Sequence, residues 1–379
     1  MDGRIQEILD NEAKRQEHTV ELIASENFAS QAVMDLCGSI FTNKYAEGYP
    51  GRRYYNGCKH IDEIEDLAIE RIRYLYNSAY ANVQPHSGAN ANTAAYQALL
   101  QPGDKILGMD LASGGHLSHG AKVNISGKVY KSFSYGVDDK GWLDYGKINE
   151  IAEIVKPNLI VAGASSYPRR INWAELRDIA DYHKCLLMAD IAHYSGLIAA
   201  GEYPNPVEYA DVVTSTTHKT LRGPRGGFIL WNNDAYTKKI NSAIFPGTQG
   251  GPLMNIIAAK AQAFTEAHQD DFKEYIKKVI KHAKIMADVF IAHGFKVQTA
   301  GTDSHLVVVN LVDKKYSGKE AADLLEQNNI TLNKNGVPND PRNFIQTSGI
   351  RIGTAAETTR GHDELWFKQL AIKICNILS

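Results

Sequence analysis

The run Thr214-Ser215-Thr216-Thr217-His218-Lys219, followed by Gly223-Pro224-Arg225-Gly226-Gly227, sets one lysine between hydroxyl side chains and a glycine-rich turn. Lysine attacks a carbonyl only as the neutral amine, and a partly desolvated pocket favours that form, so the setting suits Schiff-base chemistry. By itself the pattern also fits a surface lysine in a glycine-rich loop. Upstream, Asp190-Ile191-Ala192-His193 follows directly on the apolar run Leu186-Leu187-Met188-Ala189. Alone, Asp190 reads as a turn or helix cap and His193 as a core histidine bonded to backbone. A strand-end aspartate followed one strand later by a strand-end lysine points instead to pyridoxal phosphate. The carboxylate can keep the pyridine nitrogen protonated, and the ring can then take electrons from a substrate carbanion.

Two further stretches invite a chemical reading. His86-Ser87-Gly88-Ala89-Asn90-Ala91-Asn92 feeds a helical pattern over Thr93–Leu100. A small-residue turn at a helix N-terminus offers N–H groups and partial positive charge to a phosphate, although an ordinary cap explains it as well. Neither the dinucleotide fingerprint nor the P-loop occurs, so a phosphate here belongs to another cofactor. Glu47 lies in Tyr45-Ala46-Glu47-Gly48-Tyr49-Pro50-Gly51-Arg52-Arg53-Tyr54-Tyr55. So many rings suit a pocket lined by substrate or by another subunit, or else a loop pinned by tyrosine packing.

The elements that must position these residues alternate. A helix with one buried face runs from Ile61 through Ile72 and Leu75, with carboxylates between its apolar positions. The short apolar runs Leu159–Ala162, Leu186–Ala189 and Val212–Val213 are separated by the helical pattern Trp173–His183 and by Gly/Pro turns. Such interleaving predicts an α/β fold, a mainly parallel sheet covered on both faces, with ligands beyond the strands' carboxyl ends. Helical patterns over Ile256–Phe264 and Phe272–Phe290 precede strand-like runs at Phe295–Val297 and Leu306–Val309, where a smaller α+β lobe is expected. The division is an N-terminal helical arm over 1–20, a large domain over 21–268 and a small C-terminal domain over 269–379.

With 379 residues, 44% hydrophobic and 22% charged, the chain is long enough for two lobes and is not disordered. Lysine plus arginine number 41 and aspartate plus glutamate 43, a net charge of −2, which offers no excess of positive charge to nucleic acid or an anionic membrane. Cys37, Cys58, Cys185 and Cys375 show no C-x-x-C spacing, so no metal site or disulfide framework is expected and a reducing cytoplasm fits best. No export signal or membrane span is visible.

Taken in order, Glu21-Leu22-Ile23-Ala24-Ser25-Glu26-Asn27-Phe28, Tyr45–Tyr55, the His86 turn, Gly114-Gly115-His116-Leu117, Asp190–His193, Thr216–Lys219, Pro246–Pro252 and Ser348-Gly349-Ile350-Arg351-Ile352-Gly353-Thr354 resemble the serine hydroxymethyltransferase family over nearly the whole chain. The resemblance implies a fold-type I pyridoxal-phosphate enzyme, a homodimer or dimer of dimers with shared active sites, that moves the hydroxymethyl group of serine to tetrahydrofolate. It also implies roles. Lys219 is the Schiff-base lysine, Asp190 the partner of the pyridine nitrogen and His116 the imidazole stacked on the ring. Ser165 and His193 lie near the phenolic oxygen, and Thr216, His218 and Arg225 also border the cofactor. Ser87, Gly88 and Ala89 cradle the phosphate, helped by Tyr45, Gly250 and Gly251 of the facing subunit. Arg351 grips the amino-acid carboxylate, with Ser25 and Tyr55 beside it, and Glu47 is the acid/base group. Leu111, Gly115, Leu117, Tyr54, Asn335 and Phe344 join Glu47 as folate contacts.

The chain also departs from the family pattern. Asn90 stands where glutamine is usual, Ser113 where histidine is, Tyr194-Ser195 where Ile-Ala is and Ala355 where proline is. Asn343-Phe344-Ile345 replaces a Ser-Pro-Phe type sequence beside the folate ring, and the sequence stops at Ser379, so a shortened small lobe is expected. Rival readings are a folate-independent aldolase acting on threonine-like substrates, or a non-catalytic oligomer partner. The set Lys219, Asp190, Glu47 and Arg351 argues against the latter, because a binder has no use for it.

Overall fold

Seven strands share one sheet in the computed structural model, which describes residues 2–379. They are β1 (Tyr80–Asn82), β2 (Lys105–Met109), β3 (Lys131–Tyr135), β4 (Leu159–Ala162), β5 (Leu186–Asp190), β6 (Val212–Thr216) and β7 (Gly227–Trp231), in the order β1-β7-β6-β5-β4-β2-β3. Strands β3, β2, β4, β5 and β6 run parallel, and β7 runs antiparallel between β6 and β1. Every residue of β4, β6 and β7 is buried. That is why Leu159-Ile160-Val161-Ala162 is uninterruptedly apolar instead of alternating: helices cover both of its faces.

Helices α1 (Gly3–His18), α2 (Lys59–Tyr76), α3 (Gly88–Leu99), α4 (Trp173–Tyr182), α5 (Met254–Ala267) and α6 (Asp270–Ala292) come before a second core. In α2 the buried positions Ile61, Glu65, Ala68, Ile72 and Tyr76 recur at three- and four-residue steps, so a single stripe faces inward. The helix stops at Asn77, which adopts the left-handed conformation and donates to the last carbonyls. Helix α3 begins at Gly88, five residues before the apolar pattern at Thr93, because Ser87 Oγ accepts from Asn90 N and nucleates the first turn.

The second core surrounds an antiparallel sheet of β8 (Lys296–Val297), β9 (Leu306–Asn310), β10 (Asn333–Asn335) and β11 (Gly349–Gly353), ordered β8-β9-β11-β10. Val307, Val309, Ile350 and Ile352 meet Phe290 of α6 and Phe367, Leu370 and Ile374 of a C-terminal helix, Glu364–Leu378. Val20–Glu21 pairs in parallel with Ile330–Thr331, and Leu22 is buried in this second core. Helix α1 has no buried residue.

Candidate active site

The carboxyl ends of β4, β5 and β6 border a cavity of about 480 Å3. Asp190 is the last residue of β5, Lys219 lies three residues beyond the end of β6, and Ser165 three beyond the end of β4. All three line the cavity, with Ser25, Ser87, Gly88, Ala89, His116, His193, Thr216, His218, Arg225 and Arg351. Ser25, the expected site residues at the carboxyl ends of the large sheet and Arg351 of β11 are therefore brought together.

Asp190 is fixed from behind. His119 Nε2 lies 2.9 Å from its Oδ2, and Asn92 Nδ2 donates to the same oxygen at 2.8 Å. Asn92 is in turn oriented by Thr214 Oγ1, which donates to its Oδ1 at 2.6 Å. Burial pushes the Asp190 carboxyl up, but the bonds from His119 and Asn92 outweigh it and hold the group well below the ordinary carboxylate value. Asp190 is thus a buried, ionised acceptor at the cavity wall.

Lys219 sits on a turn closed by Thr217 N to Gly226 O, Gly223 N to Thr217 O and Arg222 N to Lys219 O. Asn27 Nδ2 donates to Lys219 O at 3.0 Å and ties the Glu21–Phe28 segment to that turn. Burial draws the amine down to about 8, Asp190 opposing and Arg351 and Arg225 adding to the fall. Arg351, on β11, donates from Nε to Asn333 Oδ1 at 2.9 Å and from Nη1 to Ser165 O at 2.6 Å. Among the described residues no carboxylate contributes to its environment, and burial alone lowers it to about 10. Lys219 and Arg351 are each only 9% exposed.

Three histidines stand neutral around these cations. His116 is drawn down to about 4, first by burial and then by His119, and its Nδ1 accepts from Ser118 N. His193 falls well below its usual value through burial, Lys219 and Arg351. It stacks on His305 at 5.5 Å between centroids, with His193 Nδ1 3.3 Å from His305 Nε2. Burial, then Arg351 and Lys219, draw His305 down to about 3.

A second group of expected residues lies apart from the cavity. Tyr55 Oη donates to Glu47 Oε2 at 3.1 Å, and the Tyr45 and Tyr55 rings meet edge to face at 5.5 Å. A Cβ on Gly251 would stand 3.1 Å from the Tyr45 ring, and one on Gly250 3.5 Å from Glu47 Oε1. Tyr54 packs on Phe245. These residues form one cluster whose tyrosines are exposed, and none lines the cavity of Lys219. Gly115 is locked beside β2, since a Cβ there would lie 2.0 Å from Met109 O. Leu117 is exposed and Leu111 half-buried, while Asn335 Nδ2 bonds Ser166 Oγ at 3.3 Å. Phe344 lines a different cavity, of about 450 Å3, with Asp110, Ser113 and Asn343.

Residues 1–374 match the family model of serine hydroxymethyltransferase. The chain belongs to that family. It is 57% identical over 377 residues to the serine hydroxymethyltransferase of a Nitratiruptor species, covering all of this chain and 91% of the relative. Identity is 55% over 378 residues to the serine hydroxymethyltransferase of Dichelobacter nodosus, with the same coverage. It is 53% over 377 residues to that of Wolinella succinogenes, again over all of this chain and 91% of the relative. Serine hydroxymethyltransferases are fold-type I enzymes that use pyridoxal phosphate, with tetrahydrofolate as cosubstrate, and the mainly parallel sheet conforms to that fold.

The cavity suits the family's cofactor in shape and charge. A Cβ on Gly88 would fall 2.7 Å from Thr216 Cγ2, so glycine lets the N-terminus of α3 lie directly against Thr216 at the end of β6, where a helix N-terminus suits a phosphate. Among the described residues, neither the buried His218 Nδ1 nor the buried His305 Nδ1 has a hydrogen-bond partner. An ionised Asp190 at one wall and a buried amine at another match a pyridinium nitrogen and an aldehyde.

His119, Asn92 and His305 were not identified as site residues from sequence, although Asn92 falls within the His86 turn. Their roles depend on what they touch across the fold. His119 lies three residues after His116, and that spacing is the one local signal that the second imidazole joins the site.

Proposed function

We propose that the cavity bordered by Asp190, Lys219 and Arg351 is where this chain interconverts serine and glycine. The reaction passes the serine hydroxymethyl group to tetrahydrofolate, giving glycine, 5,10-methylenetetrahydrofolate and water. The assignment is carried by two buried basic groups, Lys219 and Arg351, neither of them in an ion pair among the described residues, facing one space with an ionised Asp190. A buried guanidinium left unpaired is costly, and an α-carboxylate would meet it with two parallel hydrogen bonds.

Pyridoxal phosphate, when bound, supplies the electron sink for the pair released as the Cα–Cβ bond breaks. Lys219 would hold its aldehyde carbon, Asp190 its ring nitrogen, Ser87, Gly88 and Ala89 its phosphate, and His116 the face of its ring. Thr216, His218 and Arg225 would border it, and Ser165 and His193 would stand on its phenolic side. Arg351 orients serine by its carboxylate, with Ser25 and Tyr55 beside it. Glu47 takes the proton at the serine hydroxyl oxygen, held by Tyr55 Oη.

Tyr45, Glu47, Tyr54, Tyr55, Gly250 and Gly251 serve the facing subunit's cavity in a homodimer or dimer of dimers. Their clustering away from Lys219 on their own chain, with exposed rings, supports that reading. The pterin would lie along Leu111, Gly115, Leu117, Asn335 and Phe344. The division of the chain at 20/21 and 268/269 and a cytoplasmic location belong to the same proposal. No described helix is long and apolar enough to cross a membrane.

The deciding assay follows serine consumption and glycine release by the protein loaded with pyridoxal phosphate, with and without tetrahydrofolate. Glycine formation that depends on tetrahydrofolate is expected; cleavage of serine at the same rate without it would favour a simple aldolase.

A further inference from the structure

Lys260, in the middle of α5, is a fully buried lysine that the reaction does not use. Its Nζ donates to three backbone carbonyls, Val83 O at 2.6 Å, Pro85 O at 3.0 Å and Gly227 O at 2.8 Å. Among the described residues it has no carboxylate within ion-pair distance. Glu65, the one acid that contributes to its electrostatics, is bonded to Arg53 and Gln84. Burial draws the ammonium down to about 7, with Glu65 opposing, and the three carbonyls each accept a proton of the charged form. An ammonium ringed by peptide oxygens has the surroundings of a bound monovalent cation.

The three carbonyls belong to two segments that meet at the cofactor's phosphate end. Val83 and Pro85 lead out of β1 into Ser87, the cap of α3, while Gly227 opens β7 at the end of the Lys219 turn. Gly227 N also donates to Pro85 O at 3.0 Å, and Thr217 N to Gly226 O at 3.1 Å. A Cβ on Gly226 would lie 2.5 Å from Lys260 Cε, and one on Gly227 2.5 Å from Ser87 O. The lysine stem therefore fits against a surface that Gly226 leaves open for it.

We propose that Lys260 is a positioning residue for the cofactor, its ammonium acting as an internal cation that clamps the Pro85–Ala89 turn to the start of β7. The clamp sets the phosphate cradle against the turn carrying Lys219 and adds positive charge behind the cradle. This rests on the reading that Ser87, Gly88 and Ala89 hold the phosphate.

The test measures the affinity of apoprotein for pyridoxal phosphate by its visible absorbance, comparing wild type with Lys260→Ala. The variant is expected to bind about tenfold or more weakly, because three buried carbonyls lose their donor. n-Propylammonium, which replaces the missing stem and charge, should restore most of that loss, whereas neutral n-propanol should not. A folded variant that binds as tightly as wild type, or is rescued equally by both compounds, overturns the proposal. Should Lys260→Ala not fold, 15N-lysine labelling of the wild type decides. One ammonium with slowly exchanging protons should gain protection when pyridoxal phosphate binds, and a signal that is missing or indifferent to the cofactor overturns the clamp. Wild-type apoprotein that takes up no pyridoxal phosphate overturns the site assignment and this inference with it, whereas wild-type uptake with an indifferent variant overturns the inference alone.

Discussion

Lys219 has lost most of the hydration that keeps a lysine protonated, and its reactivity should show it. Only the neutral amine attacks a carbonyl, and burial draws this one down to about 8. The neutral fraction grows with rising pH, so uptake of pyridoxal phosphate by apoprotein should accelerate up to about pH 8 and level off above it. An ordinary lysine, at ~10.4, would still be accelerating there. Stopped-flow absorbance across that range checks this, and a rate still climbing at about pH 9.5 would contradict the assignment. Arg351→Ala removes the guanidinium held by Asn333 and Ser165 O. Losing such a charge-assisted contact costs ~2–5 kcal/mol, so serine affinity, read from the cofactor's spectral change, should fall by more than about tenfold. Lys219 and Asp190 were legible in the sequence because each sits at or just beyond a strand end, and Arg351, at the centre of β11, because it lies within a long motif of the family resemblance. His119, Asn92 and Lys260 were not, since each acts through partners more than thirty residues away or through backbone carbonyls that carry no side-chain signature.

At the scale of elements, the cavity depends on how closely α3 approaches β6. The alternation of strands and helices was readable from the apolar runs, and so was the buried stripe of α2. The start of α3 was not, because Gly88 to Asn92 carries no apolar periodicity and the helix there is set by the Ser87 cap and by contact with Thr216. Gly88→Ala puts a methyl 2.7 Å from Thr216 Cγ2. Overpacking of this kind costs ~1–3 kcal/mol, so the variant should melt at lower temperature and bind pyridoxal phosphate more weakly. Thr216→Ser deletes the clashing methyl while keeping the hydroxyl that donates to Ala192 O. Combined with Gly88→Ala it should recover most of both losses, since residues in contact are not additive. A double variant no better than Gly88→Ala would show that the glycine is required for another reason.

At the scale of the whole molecule, the Tyr45–Glu47–Tyr55 cluster stands apart from the Lys219 cavity on the same chain. If they meet across a two-fold interface, every complete site takes Lys219 from one subunit and Glu47 from the other. Lys219→Ala and Glu47→Gln should each be inactive or nearly so as pure proteins; losing the acid/base group alone typically costs 10²–10⁴-fold. Mixed and allowed to exchange subunits, they form hybrids in which one site inherits both defects and the other neither. Random pairing makes about half of the dimers hybrid, each with one intact site of two, so the mixture should regain about a quarter of wild-type turnover. Tetrahydrofolate-dependent glycine formation, measured after subunit exchange and against each variant alone, reads this directly. A mixture no more active than its components, with exchange verified by a size tag on one variant, would place Glu47 and Lys219 in the same subunit's site. The exposed tyrosines would then have to be brought to Lys219 by a movement within one chain.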